Sequence, residues 1–287
     1  MAKSYLYYHP QNKHKPAPLK MTKEQFTQEF EASRAPLRSY LLRITASPND
    51  VEDLVQDTYI KGMLKLDSFR GECSVKTWIF TIASNLAKDN KRASKRWPAT
   101  VTDICREKAL SNPDYFPEIA QLMEASPQTK FEIQEHITFC LTCIAKSLPL
   151  EQQIVLLLKE VYHFKLQEIA RIIDQSEAMV KYYLHASRAK MVQIYEGRCA
   201  LINKAGTCHQ CSELNGIFNP KQSFEEEKNK IEFAKKAGHP DREHLLDLRF
   251  KIMKEIDPFL SSGAALQLHH LQHNTKIMED YSMDNEE

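Results

Sequence analysis

The chain has 287 residues, and its 39 Lys and Arg against 38 Asp and Glu leave a formal charge of only +1 at pH 7. That balance excludes a polyanion partner held by global charge, so any nucleic-acid site has to be a local patch. Apolar residues make up 42% and Gly only 7 positions, which fits about two globular domains built from helices rather than from strands and tight turns.

Residues 1–20, rich in Lys, His and Pro, read as a disordered arm without the apolar centre of a signal peptide. No apolar run reaches the roughly 18–20 residues of a membrane span, and a cytoplasmic protein without a membrane partner is expected. A first structured zone covers 21–97. Thr22 and Gln25 form a capping box for a helix whose Phe26, Phe30, Leu37, Leu41 and Ile44 share one side, and Pro36 is expected to bend or split it. Ser47 and Pro48 start a second helix with the stripe Val51, Leu54, Val55, Thr58, Tyr59 and Met63. Phe69–Ser74 is a loop. Ser74 then caps a third helix through Trp78, Ile79, Ile82, Ala83 and Leu86, with Trp78 a buried anchor. Lys88–Arg96 places five cations in nine residues against Asp89 alone, which is the local patch that the total charge conceals.

Residues 98–130 hold Pro113, Pro117 and Pro127 and read as a linker with one short helix. A second helical domain covers 131–196. Residues 197–287 form an extension: a Cys-bearing segment, helical patterns at Ser223–Ala237 and Asp241–Lys254, and a polar tail. From Glu279 onward that tail carries five acids and no base, which reads as solvated disorder. His269, His270 and His273 read as part of a polar surface helix. No repeat of fixed period is present.

Within the second domain, Leu148–Glu160 is a helix, Leu166–Ile173 a short helix, Asp174–Ser176 a turn, and Val180, Leu184 and Met191 mark one face of a longer helix. Two helices across a three- or four-residue turn match the DNA-binding helix-turn-helix, although an ordinary helical hairpin has the same outline. The second helix exposes Ser176, Glu177, Lys181, Tyr182, His185 and Arg188. Short polar groups near its start can reach base edges, and the cations can meet phosphates. Asp174 stands where a turn Gly is usual, and Gln175 where an apolar residue normally seals the turn.

Asp50-Val51-Glu52-Asp53-Leu54-Val55-Gln56-Asp57-Thr58-Tyr59 resembles the D-A-E-D-L-V-Q-E-T-F signature of extracytoplasmic-function (ECF) RNA polymerase sigma factors. Phe69-Arg70-Gly71, Lys76–Ala87 and the basic run continue the match, and Leu148-Pro149, Glu168-Ile169-Ala170 and Val180-Lys181 complete it. The resemblance covers about 21–196. It implies an all-α fold: a region-two helical bundle and a region-four helix-turn-helix domain joined by a linker, followed here by a helical C-terminal extension. It further implies a transcription initiation factor rather than an enzyme, with core RNA polymerase and promoter DNA as partners. Asp50, Asp53, Gln56 and Asp57 would meet the polymerase. Arg70, Asn85, Lys88, Lys91, Arg92, Lys95 and Arg96 would serve the −10 element, and the helix from Ser176 the −35 element. Tyr183 and Met179 replace polar residues common in the family, so the −35 preference does not carry over. The alternatives are a helix-turn-helix regulator acting without core polymerase, and a cysteine-based redox or zinc sensor.

On a helix, His136, Cys140 and Cys143 lie at i, i+4 and i+7 on one face. Cys199 and Cys208-His209-Gln210-Cys211 follow after the second domain. No cofactor is required for initiation. Two C-x-x-C pairs, Cys140/Cys143 and Cys208/Cys211, nevertheless suit a structural or redox-sensing tetrahedral zinc, with His136 or Cys199 as substitutes. A metal-free dithiol switch and plain packing thiols remain alternatives. Ser212 after Cys211 excludes a c-type haem motif. Phe233, Leu245, Leu246, Leu248, Ile252, Met253 and Phe259 give the extension apolar faces, which are expected to fold back on the DNA-binding domains and regulate them within the chain.

Overall fold

The computed structural model describes residues 21–125, 133–199 and 242–283, and the regular elements among them are helices. The arm 1–20, the Ser223–Ala237 pattern, Cys208 and Cys211 lie outside the described residues. No described helix is long and apolar enough to cross a membrane.

Helix α1 spans Lys23–Thr45, with the Thr22/Gln25 capping box formed as expected. It runs through Pro36 without a break, so the expected split does not occur. Ala46, at φ 54°, closes it in the left-handed conformation. Helix α2 spans Pro48–Leu64, and α3 spans Val75–Asp89 with Ser74 Oγ accepting from the Thr77 amide at 3.0 Å. The three helices bury Phe26, Phe30, Leu37, Val51, Val55, Ile79 and Phe80. Gly62 lets α2 approach α1: a Cβ there would sit 2.4 Å from Cζ of Phe26.

After the short α4 (Lys91–Ser94), the stretch expected as a linker holds two helices, α5 (Val101–Ser111) and α6 (Tyr115–Ala125). The sequence reading allowed only one, because the buried set Val101, Cys105, Ala109, Tyr115 and Ile119 is sparse and mixed in size. The second domain consists of α7 (Ile133–Ala145), α8 (Leu150–Glu160), α9 (Leu166–Ile173) and α10 (Glu177–Arg198). The extension supplies α11 (Arg242–Glu255) and α12 (Ala264–Met283). Helix α12 carries Glu279 and Asp280, so the start of the acidic tail is helical rather than disordered.

The end of α1 organises the molecule. The last carbonyls of a helix have no partner within it. Here the Arg43 carbonyl accepts from Gln153 Nε2 of α8 at 2.9 Å, and the Thr45 carbonyl from Lys146 Nζ at 3.0 Å. The Ala46 carbonyl accepts from Thr275 Oγ1 of α12 at 2.8 Å. Both domains and the extension therefore complete one helix terminus. Their apolar residues follow suit, with Leu37, Ile79, Leu156, Val180, Met253 and Leu271 in one continuous buried cluster. Burial of apolar surface is the dominant favourable term in folding, so this shared core ties α11 and α12 to both domains.

Candidate polymerase and nucleic-acid interface

Helix α2 buries Val51, Leu54, Val55 and Thr58 against α1 and α3, which turns Asp53, Gln56 and Asp57 outward, where all three are exposed. Asp50, in the first turn, is half-buried. The exposed face continues into Ile60 and Leu64, 44% and 80% exposed. The sequence reading missed these two. The available signal was apolar residues falling out of step with the buried stripe, at four and eight positions after Gln56. The face is thus acidic at one end and apolar at the other.

Arg70 and Asn85 are exposed and Lys88 is half-buried, so these three can reach a strand. Gly71 takes φ 68° in the loop that precedes α3. Lys91 and Arg92 fall in α4. Two expected DNA contacts have other duties. Arg96 donates through Nη1 to the Leu148 carbonyl at 3.0 Å and to Gln153 Oε1 at 2.7 Å, and its Nη2 reaches the Ala93 carbonyl. Burial there lowers its pKa to about 10. Lys95 Nζ donates to the Glu279 carbonyl of α12 at 3.3 Å. A charge count along the sequence cannot separate a phosphate-binding cation from one spent on a carbonyl across a domain joint.

In the second domain, α9, its turn and α10 form the expected helix-turn-helix. Asp174 adopts φ 55° and ψ 52°, the left-handed conformation that the turn demands, and the Gln175 amide donates to the Ala170 carbonyl at 2.9 Å. Ser176 caps α10, its Oγ accepting from the Met179 amide at 3.2 Å. Glu177, Lys181, Tyr182 and His185 are exposed as expected, and Tyr182 reaches 60%. Arg188 is a correction. It pairs with Glu160 at 2.8 Å and with Asp247 of α11 at 2.6 Å, so the extension holds one of the cations expected on DNA.

The two domains also touch. Helix α9 packs on α3. Thr77 Oγ1 donates to Glu168 Oε1 at 3.1 Å, and Arg171 donates to the Glu72 carbonyl in the loop before α3. The arrangement is closed: the first helix of the helix-turn-helix sits on the loop that the resemblance assigns to the −10 element.

Cys143 and Cys199 are held by different helices of the extension. Cys143 is buried and accepts from Asn274 of α12 at 3.7 Å, whereas Cys199 accepts from Arg249 of α11 at 3.0 Å. Among the described residues no three His, Cys, Asp or Glu side chains are placed to hold a metal, and the other half of the expected zinc set falls outside them. His136 is buried, and burial, reinforced by the nearby Arg249, lowers its pKa to about 4. His270 does not lie on a polar surface as expected. It is buried with Nδ1 2.6 Å from the Tyr115 hydroxyl, and burial first, then His269, pulls its pKa to about 3.

The three-helix bundle and the helix-turn-helix each match a known family: residues 30–97 match the sigma-70 region 2 family and 138–191 match sigma-70 region 4. The chain is similar to RNA polymerase sigma factors of the extracytoplasmic-function group. It is 26% identical over 176 residues to the ECF RNA polymerase sigma factor SigG of Mycobacterium tuberculosis, covering 58% of this chain and 47% of that protein. It is 29% identical over 153 residues to the RNA polymerase sigma factor YlaC of Bacillus subtilis, covering 53% and 82%. To the ECF RNA polymerase sigma-E factor of Escherichia coli it is 32% identical over 125 residues, covering 44% and 63%. The chain thus spans about half the length of the mycobacterial relative, and neither family match extends past residue 191.

Proposed function

We propose that this chain binds core RNA polymerase in the cytoplasm through the α2 face, directs it to promoters, and opens the −10 region, acting as a binding protein without chemistry of its own. Asp53, Gln56 and Asp57 suit a charged, Arg-bearing surface, since carboxylates accept charge-assisted hydrogen bonds. Ile60 and Leu64 add apolar contact beside them. Arg70, Asn85 and Lys88 lie where a displaced strand would pass, and Lys181, Tyr182 and His185 lie where α10 would enter a major groove. In the same proposal the extension regulates the factor from within, because α11 pairs with Arg188 and α12 takes up Lys95.

The observation that carries the reading is the α2 face, a strip of exposed carboxylates, an amide and two apolar side chains on a helix whose other side is fully packed. The test is co-purification with core polymerase. Wild type should be retained, and Asp53→Ala with Gln56→Ala should reduce retention at least about tenfold, the effect of losing a charged and a neutral hydrogen bond. Equal retention of the variant would end the proposal.

A further inference from the structure

We propose that α12 braces the connection between the two matched regions: α6 keeps its helix only while docked on α12, and its release lengthens that connection. The inference rests on the regulation from within proposed above, and it names the element that is regulated. Residues 98–137, between the two family matches, carry α5 and α6. Helix α5 is anchored in the continuous core by Val101 and Cys105, whereas no described residue of α6 belongs to that core. Instead Tyr115 and Ile119 of α6 join Ala109 of α5 in a separate small cluster that Leu266 of α12 closes, with Phe116 and Leu122 packed against it. Ile119 is 1% exposed and Leu266 0%. Two polar contacts repeat the pairing of α6 with α12. The Tyr115 hydroxyl lies 2.6 Å from His270 Nδ1, and Glu118 faces His269 at 3.5 Å. Beside this contact is a cavity of about 1000 Å³ lined by Glu118, Gln121, His269 and Lys276, so one flank of α6 borders open space rather than apolar side chains.

Helix α12 has anchors of its own. The Gly263 amide donates to Glu135 Oε1 at 2.8 Å, Gln267 Nε2 to the Glu135 carbonyl at 3.0 Å, and Thr275 Oγ1 to the Ala46 carbonyl at 2.8 Å. Leu271 and Met278 enter the continuous core. The dependence therefore runs one way: α12 is held by the body of the molecule, and α6 is held by α12. An 11-residue helix is marginal in water without a packed face. Few buried contacts also mark a segment that opens locally at low free energy. Eleven residues span about 16 Å as a helix and about 37 Å extended, so losing α6 adds about 20 Å of reach between the domains. The segment that has to lengthen when the two regions separate is thus gripped by an extension that neither family match covers.

The full chain is followed by native-state hydrogen exchange in increasing urea. Energy transfer is measured between fluorophores introduced through unnatural amino acids at Thr100 and Glu124, exposed positions before α5 and near the end of α6. In wild type, protection across residues 116–124 should be lost at or below the urea concentration at which α12 loses its own. Leu266→Ala should raise exchange across 116–124 at least about tenfold, leave α8 within about twofold, and lengthen the distance between the two labels. Wild-type α6 that stays protected after α12 has lost its protection would overturn the proposal. So would a Leu266→Ala protein in which either the exchange of α6 or the distance is unchanged. The first reading uses the wild-type protein and does not depend on a variant that folds. None of the readings involves polymerase or promoter, so failure here is distinct from failure of the polymerase proposal.

Discussion

His136 and His270 are held neutral by burial, with pKa values near 4 and 3 against an ordinary 6.5. Between those values and 6.5 the unfolded chain binds more protons than the folded one, so stability rises with pH there and is lost as pH falls. Their contribution is complete above pH 6.5. It should decline from pH 6.5 toward 4, at no more than roughly 1.4 kcal/mol per pH unit for each ring. Thermal melts should drop as pH falls below 6.5, and His270→Gln should flatten the drop while lowering stability at pH 7. A melt of the variant with an unchanged acid slope would show that this ring is not the one titrating. Gly62 gives a second expectation, of opposite sign to helix propensity. Replacing a mid-helix Gly by Ala ordinarily stabilises by about 1 kcal/mol. At Gly62 the new methyl meets the buried Phe26 ring, so Gly62→Ala should destabilise by about 1–3 kcal/mol in urea titrations. A stabilised variant would mean that α1 and α2 are less closely packed than described.

At the scale of elements, caps and stripes were legible and joints were not. The Thr22 box, the Ser74 and Ser176 caps and the α8–α10 pattern are local, and each follows from a few adjacent residues. Helices α5, α6 and α12 bury their faces against one another with Ile119, Leu266 and Ala109, a contact between segments far apart in sequence, and so they left only weak periodicity. Asp174 breaks the usual turn composition yet takes the backbone angles that a Gly would. The site divides the same way. The exposure of Asp53, Gln56, Asp57 and Lys181 was readable because it follows from helical spacing. Arg96, Lys95 and Arg188 were misassigned because their partners come from other elements. This gives a discriminating pair of substitutions. Arg96→Ala removes charged hydrogen bonds to Leu148 and Gln153 and should lower unfolding free energy by about 1.5–3 kcal/mol. Lys88→Ala should leave stability within about 0.5 kcal/mol but reduce the salt slope of DNA binding by about 1. A stable Arg96→Ala protein with a reduced salt slope would return Arg96 to the DNA.

For the molecule as a whole, the closed arrangement sets what binding has to accomplish. Helix α9 lies on α3, Arg171 is bonded to the loop before α3, and the carbonyls at the end of α1 are shared among Lys146 after α7, α8 and α12. A promoter presents its two elements apart along the duplex, so one rigid closed body cannot place α3 and α10 on both. In the proposed function polymerase meets the α2 face, which the closed form leaves exposed, and so binds before the domains separate. A ligand shifts such an equilibrium only by its differential affinity for the two states. Core polymerase should therefore open the molecule if it also holds the second domain away from the first. Fluorophores introduced through unnatural amino acids at the exposed positions Leu64 and Tyr182 would report the separation by energy transfer. Free protein should give one short distance. Adding core polymerase should lengthen it, and Arg96→Ala with Thr275→Ala, which weaken the joint at α1, should lower the polymerase concentration needed. An unchanged distance in the polymerase complex would mean that the closed body is the working form and that α9 stays on α3 during initiation.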